Sequence, residues 1–483
     1  MRARSVILLV AACAAAAPLP LPAAAPAPRA ESVANQVDRH IKSQMEALKI
    51  PGLQVAVVKG GNIVLLRSYG IASVELGVPV TDSTIFSVNS IAKAFTGVAA
   101  MRMVEAGRLD LAAPVSAYLD GLPESWRAVT VRQLLSHMSG LPEITRAPTI
   151  ETDAEAAWAW VQAQPVQFPT GERFNYCQTN YTLILRILNK LAGAPPDSPL
   201  GTPQFEIAGM NRTAYGDSTD LIPGKAPSYR WTRGAAPGEP RMLRPSIERF
   251  LPFRRASSGL NSNAGDMAKW IIALRQGGLL SKASLETLWT RVPFNNGEPG
   301  QWGLGWQNLP RGKGRAVGMT GGGRAAFYLY PEQDVAVVLL TNLAGAFPED
   351  FIDRIASLYA PGLELDGVPA LRIALEDKGY AGAPAAAARI AARDAAFRWN
   401  EAELNDWGYR LLSTGRSREA LEVLRLVASL FPQSGNAHDS LAEALAANGD
   451  KAGALASYRR ALQLDPKNGH AERQIERLQA EAR

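Results

Sequence analysis

Two β-rich segments that lie far apart in the chain constrain its fold most strongly. Residues 52–70, "GLQVAVVKGGNIVLLRSYG", form two apolar runs around a Gly-Gly-Asn turn, and residues 325–342, "AAFYLYPEQDVAVVLLTN", repeat this layout around Pro-Glu-Gln-Asp. Runs of this kind on either side of turn residues predict β-hairpins. Between them, segments such as 91–107 and 264–278 have helical character and end at glycine. We therefore expect an α+β fold, in which the two ends of this region close an antiparallel sheet and helices flank it.

The C-terminal part of the chain carries a repeat. Four residues recur 34 positions later, since Gly415, Ala420, Leu421 and Pro432 correspond to Gly449, Ala454, Leu455 and Pro466. This period and these small residues are similar to the tetratricopeptide repeat, a helix–turn–helix unit that stacks on its neighbours. The resemblance covers about residues 404–480 and implies an all-α tail. Such a tail either caps the preceding domain or offers a groove to a protein or peptide partner, and the sequence leaves both interpretations open.

The first 30 residues have the layout of a bacterial-type export signal, with a basic start, a short apolar run and a Pro/Ala-rich stretch. The apolar run is shorter than the ~18 residues that span a bilayer. Val10-Ala11-Ala12-Cys13 also resembles a lipoprotein box, in which Cys13 receives the lipid, so soluble export and a lipid anchor both stay open. We expect an exported protein, periplasmic or secreted. Cys177 is the one other cysteine, and with Cys13 removed or acylated no intrachain disulfide is expected.

Ser90 and Lys93, within "FSVNSIAKAFTG" at residues 86–97, are the first candidates for chemistry. A serine hydroxyl is a weak nucleophile that needs a base within hydrogen-bond distance. Residues three apart share one face of a helix, so the lysine Nζ can reach the serine Oγ. Burial lowers the pKa of a lysine, and an unprotonated Lys93 can accept the serine proton. The pair fits nucleophilic catalysis, although a Ser-x-x-Lys pattern alone also arises by chance.

Other catalytic and binding arrangements find little support. The chain has no Gly-x-Ser-x-Gly elbow, and of its four histidines only His137 is placed to complete a Ser-His-Asp triad. No cluster of His, Cys and Asp has metal-ligand spacing and no phosphate loop occurs, so no metal or other cofactor is expected. The formal net charge of +6 is small for 483 residues and is not clustered, which argues against a nucleic-acid partner.

Three segments in order resemble the serine β-lactamase and penicillin-binding protein-like family: "TIFSVNSIAKAFTGVAAMRMVEAGRLDLAAPV", "VTVRQLLSHMSGLPE" and "FPTGERFNYCQTNYTLILRIL". The likeness is closest to the branch of class C β-lactamases, D-alanyl-D-alanine carboxypeptidases and esterases, and covers roughly residues 33–362. It implies an antiparallel sheet flanked by helices. Together with the export signal and the repeat, it divides the chain into an export signal at 1–30, a serine hydrolase domain at 31–362, a helical linker or degenerate repeat at 363–400 and repeats at 401–483.

The resemblance implies a role for the residues of three motifs. Ser90 is the acylated nucleophile, Lys93 is its base, and Tyr176 of the Tyr-x-Asn motif passes a proton to the leaving group. The oxyanion hole consists, by this resemblance, of the backbone N–H groups of Ser90 and Gly322. The third motif, Lys/His-Thr/Ser-Gly, falls at Met319-Thr320-Gly321 and is expected to border the substrate.

Two departures from the family pattern concern substrate binding. Gln178 stands where Asn is usual, and since it keeps both amide functions on a longer side chain, it is expected to bind the acyl-side amide of the substrate at a shifted geometry. Met319 replaces the usual cation, which weakens the binding of a substrate carboxylate and raises the pKa expected for Tyr176. Arg324, two positions past Gly322, restores the charge if its side chain points into the site.

The preferred interpretation is a serine acyl hydrolase that acts on a small-molecule or peptide substrate, namely an ester, an amide or a D-amino-acid peptide. The alternative is a penicillin-binding-like scaffold without turnover that binds a partner through its repeats. Retention of the three catalytic residues favours the enzyme, whereas Met319 favours the alternative. His137 and Cys177 are interpreted as structural residues that pack and hydrogen-bond near the site.

Overall fold

A computed structural model describes residues 31–193, 202–232 and 240–480. The predicted export signal, with Cys13, lies outside the described residues. The described strands are β1 (Gly52–Lys59), β2 (Asn62–Ser73), β3 (Val78–Pro79), β4 (Phe86–Asn89), β5 (Ala214–Tyr215), β6 (Tyr229–Thr232), β7 (Met242–Pro245), β8 (Leu260–Ser262), β9 (Gln307–Arg311), β10 (Gly314–Gly321), β11 (Ala325–Tyr330), β12 (Val335–Thr341) and β13 (Leu343–Ala344).

The described helices are α1 (Val33–Leu48), α2 (Ala92–Glu105), α3 (Val131–Leu135), α4 (Ala154–Gln162), α5 (Gln178–Ala192), α6 (Thr202–Ala208), α7 (Ala264–Arg275), α8 (Lys282–Trp289), α9 (Ile352–Tyr359), α10 (Gly367–Lys378), α11 (Ala383–Ala391), α12 (Glu401–Ser413), α13 (Ser417–Leu430), α14 (Gly435–Ala447), α15 (Lys451–Leu464) and α16 (Gly469–Ala480). None of these helices combines the length and the apolar character needed to cross a membrane.

The central sheet has seven strands in the order β3-β2-β1-β12-β11-β10-β9. β1 and β2 form one antiparallel hairpin and β11 and β12 form another, as the turn residues predict. β1 also pairs antiparallel with β12, with Leu53 opposite Thr341 and Lys59 opposite Val335. The two ends of the domain therefore close the sheet, and the predicted α+β arrangement is confirmed.

The sheet separates two cores, because successive strand residues point to opposite faces. On β1, Ala56 and Val58 belong to a core packed with α2, α5 and α7, whereas Val55 and Val57 belong to a core under α1 and α9. The first core surrounds the start of α2. A small sheet of order β4-β8-β5 holds the N-terminal end of this helix in place, since β4 leads through Ser90 into α2.

The tail is a stack of helix pairs. α12 packs on α13, and α14 packs on α15. Gly415 and Gly449 lie in the turn of each pair with φ of 84° and 85°, a left-handed conformation that favours glycine and that the 34-residue period places at equivalent points. The predicted all-α repeat tail is confirmed, while the exact domain boundaries at residues 362 and 400 stay predictions.

Ion pairs attach the tail to the preceding domain. Arg410 Nη1 on α12 lies 2.7 Å from Asp350 Oδ1 and 3.2 Å from Glu349 Oε1. Arg372 Nη2 on α10 lies 3.0 Å from the same Asp350. Burial raises the pKa of Glu349 to about 7, and the attraction of Arg410 opposes this rise. This side of the tail therefore caps the domain.

Candidate active site

Ser90 lies in the turn between β4 and α2. The preceding residue, Asn89, has φ of 45°, a left-handed conformation that asparagine tolerates better than most side chains. Its Oδ1 accepts a hydrogen bond from Ser87 Oγ at 2.6 Å, and its Nδ2 donates to Glu248 Oε1 at 2.9 Å. These bonds fix the backbone that presents the Ser90 hydroxyl.

The Lys93 side chain is fully buried and reaches back towards Ser90. Its Nζ donates to Gln178 Oε1 and to the Ser257 carbonyl, each at 2.9 Å, and lies 3.5 Å from Ser90 Oγ. Burial lowers the pKa of Lys93 well below its ordinary value, and the more distant Glu143 carboxylate opposes this shift. An unprotonated amine that donates two hydrogen bonds keeps its lone pair free for the hydroxyl proton of Ser90.

Tyr176 is the third side chain of the site, beside Ser90 and Lys93. Lys93 Nζ lies 4.7 Å from the centroid of the Tyr176 ring, and the phenol hydrogen-bonds to the side chains of Ser90 and Gln178. Burial raises the pKa of Tyr176 to about 12, and these two hydrogen bonds work against the rise. The phenol therefore keeps its proton at neutral pH and can donate it. The structure brings together the three residues that the motifs single out.

His137 and Cys177 support the tyrosine from behind. The His137 ring packs on Tyr176 in a tilted arrangement with centroids 4.4 Å apart, and its Nδ1 accepts a hydrogen bond from the Cys177 backbone N–H at 3.1 Å. Burial lowers the pKa of His137 well below its usual range and raises the pKa of the Cys177 thiol to about 12. A neutral, fully buried imidazole and a protonated thiol fit the packing role that the sequence indicates.

Two glycines let the third motif approach the nucleophile. A Cβ atom on Gly321 would lie 1.9 Å from the Val88 carbonyl oxygen and 3.3 Å from the Ser90 backbone nitrogen. Gly322 has φ of 56°, and a Cβ there would lie 2.4 Å from Asn89 Nδ2. The end of β10 is therefore packed against the Ser90 turn, which is the arrangement that a shared oxyanion hole requires.

Met319 and Thr320, the first two residues of the third motif, do not present their side chains to Ser90. Met319 is 1% exposed and belongs to the core on the α2 side of the sheet, so it offers a substrate almost no surface. Thr320 points to the opposite face, where it lines a cavity of about 640 Å³ together with Tyr328 and tail residues such as Arg410. The expectation that Met319 and Thr320 bind substrate beside Ser90 is therefore corrected, because alternation along β10 sends one side chain into the core and the other away.

Arg324 does not supply a free cation. It is 2% exposed, and its Nη1 and Nη2 donate to the two carboxylate oxygens of Glu248 at 2.9 and 3.0 Å. Nη1 also donates to Ser228 Oγ at 2.8 Å. Substrate binding by Arg324, expected from the sequence, is corrected to an internal role, because the guanidinium is neutralised by the same carboxylate that holds Asn89.

Sequence reasoning missed three residues that hold the site together. Glu248 links Arg324 to the Ser90 turn, and the Ser257 carbonyl binds Lys93. Glu143 accepts hydrogen bonds from the backbone N–H groups of Gln178 and Thr145, both at 2.9 Å. Glu143 directly follows the "LSHMSGLP" segment, and this position beside a family motif could have marked it as a site residue. Glu248 and Ser257 lie in irregular segments where no pattern marked them.

Comparison with known proteins agrees with this geometry. The family model described as Beta-lactamase matches residues 37–360, and the one described as Tetratricopeptide repeat matches residues 435–468. The first of these matches covers more than half of the chain. The chain belongs to the β-lactamase family and carries a tetratricopeptide repeat in its tail.

Individual relatives show the same likeness. Penicillin-binding protein 4* of Bacillus subtilis is 29% identical over 286 residues, which cover 56% of this chain and 62% of that protein. D-aminopeptidase of Gluconobacter oxydans is 28% identical over 280 residues, covering 56% of this chain and 51% of that protein. The chain thus spans less than two thirds of either relative. The octameric penicillin-binding protein homologue from Pyrococcus abyssi has a TM-score of 0.57 and 26% identity, covering 68% of this chain and 79% of that one.

Proposed function

We propose that the protein is a serine acyl hydrolase that works through an acyl-enzyme on Ser90. One observation carries the proposal: the fully buried Lys93 donates two hydrogen bonds elsewhere and holds its Nζ 3.5 Å from the Ser90 hydroxyl. Among the residues that the structure describes, no carboxylate contacts Lys93. Burying a lysine in this way is costly, and a role as general base accounts for it. Membership of the β-lactamase family supports a serine hydrolase in general.

The reaction divides into acylation and deacylation. Ser90 Oγ attacks the substrate carbonyl carbon while the hydroxyl proton passes to Lys93 Nζ. The backbone N–H groups of Ser90 and Gly322 stabilise the negative charge on the carbonyl oxygen. When the tetrahedral intermediate collapses, the leaving atom takes a proton from the Tyr176 phenol, and the Lys93 ammonium restores that proton. A water molecule, deprotonated in the same way, then attacks the acyl carbon and releases Ser90 and the carboxylic acid.

We expect neutral esters or amides to be better substrates than compounds that carry a carboxylate on the leaving-group side. Met319 supplies no charge and Arg324 is paired with Glu248, so nothing in the third motif replaces the usual cation. A charge-assisted hydrogen bond contributes roughly 1.5–3 kcal/mol, so its absence costs about one to two powers of ten in kcat/KM. A short acyl ester, a D-Ala-D-Ala peptide and a chromogenic cephalosporin compared under one condition test this order. A cephalosporin or peptide turned over faster than the ester contradicts it.

The acylation rate is expected to rise with pH. Only the unprotonated form of Lys93 accepts the serine proton, and its lowered pKa places this rise below the ordinary lysine value of about 10.4. Tyr176, with a pKa of about 12, stays protonated over the same range and adds no ionisation of its own. The measurement is single-turnover acylation by an activated ester, corrected for spontaneous hydrolysis. A rate that rises only at or above about 10.4 contradicts a base role for Lys93, whereas a rise or a plateau below that pH agrees with it.

We further propose that the tail binds a protein or peptide partner and that the chain is exported to the periplasm or secreted, with a lipid anchor at Cys13 as an alternative to a soluble form. The tetratricopeptide match supports the first proposal. The basic start, apolar run and Pro/Ala-rich stretch of residues 1–30 support the second.

A further inference from the structure

A second arginine lies beside the Ser90 site. Arg254 ends a short turn, Pro252–Arg254, which packs against α5. Its carbonyl accepts a hydrogen bond from Ser257 Oγ at 2.8 Å, and the Ser257 carbonyl accepts one from Lys93 Nζ at 2.9 Å. This chain of hydrogen bonds places the Arg254 backbone next to the buried base, and the charge of its guanidinium is close enough to help burial lower the pKa of Lys93.

The guanidinium of Arg254 contacts neutral groups, and its Cζ lies 5.2 Å from the centroid of the Phe250 ring. Its Nη1 donates to the Arg249 backbone carbonyl at 3.1 Å, which orients the group without neutralising it. Its Nε is buried and has no hydrogen-bond partner. Within the described part of the chain, no carboxylate forms an ion pair with it. Three carboxylates act on it from a longer range, namely Glu143, Glu151 and Glu248.

Arg324, which is fully buried near Ser90, differs from the half-buried Arg254 in this respect. The guanidinium of Arg324 has a bidentate carboxylate partner and a serine hydroxyl. Arg254 has neither. A half-buried cation without a contacting carboxylate can bind an incoming anion through charge-assisted hydrogen bonds, and no internal ion pair must be broken first.

The position of Arg254 indicates which part of a substrate it meets. The turn that carries it packs against α5. Lys93 Nζ also joins the Ser257 carbonyl to Gln178 Oε1, and the Gln178 amide is expected to face the acyl side of the substrate. We propose that Arg254 binds an anionic group, such as a carboxylate, on the acyl side of the substrate. This inference rests on the proposed function and names a substrate class for it: esters or amides of acids that bear a second negative charge.

The test compares two esters that differ in one charge. One is the mono-p-nitrophenyl ester of adipic acid, with a free carboxylate on the acyl chain, and the other is its methyl ester. The ratio of kcat/KM for the anionic ester to that for the neutral ester is measured for the wild type and for Arg254→Gln. We expect the variant to lower this ratio about 10- to 100-fold, because one charge-assisted contact is lost. Arg254→Lys is expected to retain part of the preference.

Arg249→Gln is the matched control, because it removes the same charge from an exposed arginine of the same segment. We expect it to leave the ratio unchanged. A second measurement needs no variant: in the wild type the ratio should fall as ionic strength rises, since salt screens the attraction. An unchanged ratio in Arg254→Gln, with both esters hydrolysed by the wild type, overturns the inference and leaves the proposed function standing. If the wild type hydrolyses neither ester, the proposed function fails, and the inference fails with it.

Discussion

Replacement of Ser90 or Lys93 by alanine is expected to lower the acylation rate roughly 1,000-fold or more, and the double variant is expected to be hardly slower than either single variant. The two side chains share one step, because the nucleophile reacts only as its proton moves to the amine 3.5 Å away. Groups that act as a unit show strongly non-additive effects when they are removed. The measurement is the single-turnover rate of each variant with one activated ester.

Lys93→Ala also removes a buried side chain, so each variant needs a folding control. The unfolding midpoint and the far-UV circular dichroism spectrum of each variant provide it. If folded Ser90→Ala and Lys93→Ala variants show losses that multiply in the double variant, the two residues do not share a step, and the assignment of Lys93 as the base is wrong.

Tyr176→Phe is expected to lower turnover about 100- to 10,000-fold for substrates whose leaving group must be protonated, such as amides and alkyl esters. The tyrosine holds its proton at neutral pH, because burial raises its pKa to about 12, and its hydroxyl hydrogen-bonds to Ser90. Phenylalanine keeps the ring that packs on His137 but removes the proton donor. The rate of hydrolysis of an alkyl ester by wild type and variant measures this effect.

A p-nitrophenyl ester serves as the internal control for this variant. Its leaving group departs as a stable anion and needs no proton, so Tyr176→Phe should slow it far less than it slows the alkyl ester. Equal losses on both esters would mean that Tyr176 orients Ser90 or Lys93 and does not protonate the leaving group.

Much of the fold could be predicted from local patterns. The two hairpins follow from β-branched runs around turn residues. The repeat follows from the 34-residue spacing of Gly415 and Gly449, which lie with positive φ in the turns between paired helices. The proximity of Ser90 and Lys93 follows from helical spacing, since α2 starts at Ala92 and the Lys93 backbone N–H already donates to the Ser90 carbonyl at 3.0 Å.

The environment of the third motif could not be predicted from the sequence. β10 lies in a sheet with an apolar core on each face, so its residues do not alternate between apolar and polar. The sequence pattern therefore does not reveal which face carries Met319 and which carries Thr320. Gly322 and Gly323, with φ of 56° and 60°, interrupt the strand, so alternation does not extend to Arg324 either. Its partner Glu248 lies in an irregular segment, and no periodicity links two such distant positions.

The covalent state of Ser90 during turnover tests the central claim most directly. Incubation of the full chain with an acylating probe, such as a fluorophosphonate, followed by proteolysis and peptide mass spectrometry, locates the modified residue. We expect one adduct on the peptide that contains Ser90, absent from Ser90→Ala and much slower to form in Lys93→Ala. An adduct confined to another residue, or no adduct on folded wild type with several probe chemistries, would contradict the acyl-enzyme mechanism.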